Sequence, residues 1–102
     1  MRTLTKDEKN ALIEKLVGEL PVLRAKLGLS QEELGQRIGL SRQMVVAIEN
    51  QRRPMTWNTY LALMMVFLHN RSTADLLRAL GVYTDELRQF LDVTESCPTQ
   101  NS

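Results

Sequence analysis

Apolar residues recur along this chain at intervals of three and four, and no strand pattern is visible. Leu12, Ile13, Leu16, Val17 and Leu20 form one such series, the mark of a helix with one face on a core. Ahead of them, Thr5-Lys6-Asp7-Glu8 has the form of a capping box, in which a hydroxyl meets a free amide and a carboxylate reaches back. Gly18 and Pro21 interrupt the series. Proline suits a first helical turn and costs a hydrogen bond in an interior. The pattern predicts a leading helix near 6–18 and a second near 20–27, or one continuous helix with a kink, ending at Gly28.

Two much shorter patterns follow. Ser30-Gln31-Glu32-Glu33 repeats the capping box, Leu34 and Ile38 stand four apart, and Gly39 ends the helix after about two turns. Ser41 is placed to cap the next helix, in which Val45 and Ile48 point inward. Helices this short have no long seam to share. They cross steeply when a small residue sits where they touch, and Gly35 is such a residue. Gly39 opens the turn, because a left-handed backbone is cheapest at glycine. Leu34, Ile38, Leu40, Val45 and Ile48 then face one core.

Beyond a basic loop at Arg52-Arg53-Pro54, residues 56–68 read as a helix apolar on nearly all sides, and so buried. Trp57, Tyr60 and Phe67 belong to that core rather than to a ligand pocket. Ser72 or Thr73 starts an amphipathic segment with Leu76, Leu77 and Leu80. Gly81 breaks it, and Thr84 caps a last helix with Leu87, Phe90 and Leu91. Residues 94–102 have the composition of a disordered tail. The expectation is an all-α fold in a single domain over 1–93.

Composition narrows the function. The chain has 102 residues, 43% of them hydrophobic and 25% charged, which suits one domain with a modest core. No apolar run reaches membrane-spanning length and the N-terminus carries no signal-peptide pattern, so the expected location is the cytoplasm. The single cysteine, Cys97, has no partner at metal spacing and reads as a tail thiol. His69, the one histidine, lacks triad partners nearby, and no glycine-rich phosphate loop follows a strand. Neither an enzyme nor a metal or cofactor site is expected. Net charge is only +1, yet residues 20–56 carry +3, while residues 1–19 sum to zero and 57–102 to −2. Phosphate binding needs such local charge rather than a high overall pI.

The paired short helices have the pattern of a helix-turn-helix. The resemblance is to the phage-repressor (Cro/CI, or XRE) family. It rests on Leu23-Arg24, on Gly28-Leu29-Ser30-Gln31-Glu32-Glu33-Leu34, on Ile38-Gly39-Leu40-Ser41-Arg42-Gln43, and on Ile48-Glu49-Asn50 with the basic run to Pro54. It covers about residues 20–68, with the motif itself at 31–50. It implies a lambda-repressor-like domain of five to seven helices, here with an added N-terminal helix near 6–18 and C-terminal helices near 72–92. The segment from Leu80 to Leu87 resembles the start of the family's closing helix.

By position, the resemblance implies a reading helix over 41–49. Arg42 and Gln43 resemble base readers: arginine forks onto guanine and glutamine pairs with adenine. Ala47 resembles a groove-facing position that meets a thymine methyl. Met44 and Val46 depart from the small polar residues usual there. They either select thymine-containing steps or pack on neighbouring protein. Gln31 resembles a phosphate anchor, and Ser41, Asn50, Arg52 and Arg53 join it as phosphate contacts. Arg24 and Glu49 match a familiar ion pair that fixes one helix against another. The family often has glycine after the position of Asn50, where this chain has Gln51. Asn50 is then expected to supply the left-handed, helix-ending residue.

The partner expected is double-stranded DNA, read by a homodimer, since one motif covers only a few base pairs. The C-terminal apolar residues Leu76, Leu77, Leu80, Leu87, Phe90 and Leu91 are the expected dimer surface, with completion of the monomer core as the alternative. The expected function is a small transcriptional repressor. The alternative is an antitoxin that neutralises a toxin and binds its own operator, disfavoured by the lack of a separate wrapping arm.

Overall fold

The computed structural model describes residues 3–93. All regular structure among them is helical, as the periodicity predicts: α1 (Lys6–Lys26), α2 (Gln31–Ile38), α3 (Arg42–Glu49), α4 (Trp57–His69), α5 (Arg71–Ala79) and α6 (Asp85–Leu91). Residues 94–102, with Cys97 and the expected tail, lie outside the described residues.

The first helix starts where the capping box places it. Thr5 Oγ1 accepts from the Glu8 amide at 3.1 Å, and Glu8 Oε1 accepts from the Thr5 amide at 2.9 Å. It then runs unbroken through Gly18 and Pro21, so the separate helices near 6–18 and 20–27 are one. Leu16, Leu20 and Leu23 lie on either side of the proline and are all fully buried. Burying each stabilises by about 1.5–3 kcal/mol. Together they outweigh the roughly 3 kcal/mol that an interior proline costs. The Pro21 ring itself is exposed.

α1 is the spine, touching α3, α4 and α5, while α2 packs on α3 and α4. The shared core holds Leu34 of α2, Val45 and Ile48 of α3, Tyr60, Leu63 and Phe67 of α4, and Leu77, Val82 and Leu87 beyond it. Trp57 stacks on Tyr60 with ring centroids 4.7 Å apart. The Tyr60 hydroxyl donates to the Val82 carbonyl at 2.8 Å, which ties α4 to the turn before α6.

The C-terminal helices differ from expectation in two ways. α5 begins at Arg71, ahead of Ser72 and Thr73. Thr73 is no cap. It is fully buried within the helix, and its hydroxyl donates to the Phe67 carbonyl at 2.6 Å. It thereby satisfies a carbonyl at the end of α4, where intrahelical donors run out. The apolar residues expected to form a dimer surface mostly turn inward. Leu77 and Leu87 are buried, and Leu76, Leu80 and Phe90 pack against the core. Leu91 stays exposed, as does Met65 on α4 at 75%.

Candidate nucleic-acid interface

The two short helices owe their crossing to three local devices. Ser30 Oγ accepts from the Glu33 amide at 3.0 Å, and Glu33 Oε1 accepts from the Ser30 amide at 2.8 Å. The second of these bonds, more than any other cause, holds the Glu33 carboxyl below the usual carboxylate range. Gly39 then turns the chain at φ +77°. Gly35 is buried, and a methyl group built there would collide with the Leu40 carbonyl oxygen. Glycine alone lets the turn lie this close to α2.

One carboxylate joins three helices. Glu49, at the end of α3, has a side chain only 6% exposed, against 21% for Arg24. Arg24 Nε donates to Glu49 Oε2 at 3.0 Å, Nη2 donates to Oε1 at 3.3 Å, and Nη1 donates to the Leu29 carbonyl at 3.0 Å. Gln31 Nε2, from the first turn of α2, donates to Glu49 Oε1 at 2.9 Å. The carboxylate therefore fixes α1, α2 and α3 together. The Gln31 amide, expected on phosphate, is shared with Glu49 and keeps one further N–H of its own. The spacing of Gln31 to Glu49 carries no sequence signal. Only the folded chain brings them together.

α3 divides its side chains between two faces. Val45 and Ile48 are buried and Met44 packs against the same core. Arg42 and Gln43 are exposed, with Val46 and Ala47 half-buried beside them. Ser41 Oγ accepts from the Met44 amide at 3.2 Å, capping the helix and leaving its hydroxyl hydrogen free to donate. Past α3, the left-handed residue is Gln51, at φ +62°. Asn50 has φ −86° and stays on the right-handed side, which corrects the expectation that Asn50 ends the helix in that conformation. The turn folds the following loop back: the Arg52 and Arg53 amides both donate to the Ala47 carbonyl, at 2.8 and 3.2 Å.

These bonds place two loop arginines beside the outer face of α3. An open groove results, lined by Arg42, Gln43, Val46, Ala47, Arg52 and Arg53. None of the six is acidic. The side chains of Arg42, Gln43, Arg52 and Arg53 make no hydrogen bond or ion pair among the described residues. Met44, expected among the base contacts, is absent from the lining, as are the expected phosphate contacts Gln31, Ser41 and Asn50; Asn50 is exposed.

Residues 23–56 match the family model HTH_3, described as helix-turn-helix. Over this stretch the chain carries a helix-turn-helix. The match runs from the last turns of α1 through α2 and α3 to the residue before α4. No curated protein and no solved structure matches the chain. The helix-turn-helix family is one of DNA-binding transcription regulators and is generally non-enzymatic. No helix among the described residues is long and apolar enough to cross a membrane.

Proposed function

We propose that the protein is a sequence-specific regulator that inserts α3 into the major groove of double-stranded DNA and acts as a dimeric repressor. The supporting observation is the groove itself: three arginines and a glutamine line it with Val46 and Ala47, and none of the lining residues is a carboxylate. Free guanidinium forks match guanine edges and phosphate oxygens. Arg42 and Gln43, at the start of α3, are the base readers, and Val46 and Ala47 are the apolar part of the lining. Arg52 and Arg53 hold phosphates along the flank, joined by Asn50, the Ser41 hydroxyl and the remaining Gln31 N–H.

Dimerisation supplies a second half-site about 34 Å away. Among the described residues the exposed large apolar side chains are Val22, Met65, Leu91 and Val93, and these are the residues for a second copy to cover. An antitoxin reading uses the same DNA face and gives this apolar surface to a toxin instead. Sedimentation of the chain alone tests the dimer, and a toxin-like reading frame directly beside its coding region would favour the antitoxin.

Selection from a pool of random duplexes at two salt concentrations tests the DNA reading. A two-fold symmetric site should be enriched, with affinity falling steeply as salt rises. On that site Arg42→Ala should cost about 1–3 kcal/mol and relax one base position, whereas Gln31→Ala should weaken all sequences alike. No enriched sequence at either salt concentration would refute the proposal.

A further inference from the structure

Val46 is an anomaly on α3. It is half-buried, yet it is not among the residues that pack on the hydrophobic core. Its neighbour Met44, equally apolar, turns to the core side with Val45 and Ile48. Val46 instead lines the open groove together with Ala47, Arg42, Gln43, Arg52 and Arg53, and it and Ala47 are the apolar residues of that lining. A β-branched residue is a poorer helix former than most alternatives on an open face. Here it gains no core contact in return.

We infer that Val46 is a specificity-determining residue that reads the C5-methyl group of a pyrimidine in the major groove. The inference rests on the DNA-reading proposal above. Among the base-pair features exposed in that groove, the C5-methyl of thymine is the apolar one. A cytosine methylated at C5 presents the same group in the same place. The charged lining residues would draw phosphates and guanine edges. The side chains of Val46 and Ala47 offer no donor or acceptor and discriminate by contact with a methyl group. Met44 takes no part in this reading.

The test uses the full chain and the enriched duplex. Each thymine is replaced singly by uracil, which removes only the methyl group, and each cytosine by 5-methylcytosine, which adds one. In the wild-type protein at least one position should change affinity by roughly fourfold, the worth of one buried methyl group. That change should vanish in Val46→Ser and shrink in Val46→Ala, while the melting temperature of both variants stays near wild type. A thymine position identifies thymine as the source, and a cytosine position identifies 5-methylcytosine. A methyl effect of equal size in wild type and Val46→Ser, or no methyl effect anywhere on a duplex that is bound specifically, would overturn the inference and leave the DNA reading standing. Absence of any specific duplex would remove both.

Discussion

Gln51 bears the one positive φ among the described non-glycine residues, +62°. A side chain in that conformation crowds the following carbonyl and costs about 1–2 kcal/mol. The cost persists because the turn it makes delivers Arg52 and Arg53 to the end of α3. Glycine removes the crowding but gives the unfolded chain more freedom, which offsets part of the gain. Gln51→Gly should therefore raise stability by about 0.5–1 kcal/mol, read as a higher urea midpoint at unchanged slope. An unchanged or lower midpoint would mean that the glutamine side chain makes up for its own strain.

At the scale of elements, the joint between α1, α2 and α3 depends on the Glu49 carboxylate. Arg24→Met leaves that group nearly buried with no cation beside it. Removing one partner of a fully buried pair costs roughly 3–5 kcal/mol. Arg24 is 21% exposed, and solvent screening lowers the expected loss to about 2–3 kcal/mol. Chemical denaturation of Arg24→Met and of Arg24→Met with Glu49→Leu checks this. The double variant should recover most of the loss, because the stranded charge has gone with its partner. A single variant within ~0.5 kcal/mol of wild type would show that the joint is held by packing alone.

For the whole molecule, Tyr60 connects the helix-turn-helix to the C-terminal helices. Burial pushes its hydroxyl well above the usual phenol range. The native state therefore holds this proton more tightly than the unfolded chain does. The associated stability is fully present below about pH 10, the ordinary phenol value, and is lost as pH rises beyond it. Tyr60→Phe leaves the Val82 carbonyl without its donor and should cost about 1–2 kcal/mol at neutral pH. Its stability should also fall less steeply than wild type above about pH 10. Parallel alkaline limbs for the two proteins would remove Tyr60 from the account.

The sequence by itself determined the all-helical fold, the caps at Thr5, Ser30, Ser41 and Thr84, and the turn at Gly39, because each follows from neighbours within four residues. It also placed Arg42 and Gln43 at the start of α3. What it left open was settled by contacts between residues distant in the chain. Pro21 stays inside one helix because leucines on both sides of it reach a common core. Thr73 serves the end of α4 rather than the start of α5 because that carbonyl lacks a donor. Gln51, not Asn50, takes the left-handed turn because the loop must return to the Ala47 carbonyl. Met44 and Val46, alike in the pattern, part company because one face of α3 meets the core and the other does not. Local hydrogen bonds and periodicity belong to the chain, whereas the side on which a side chain is buried is decided only by what the rest of the molecule brings against it.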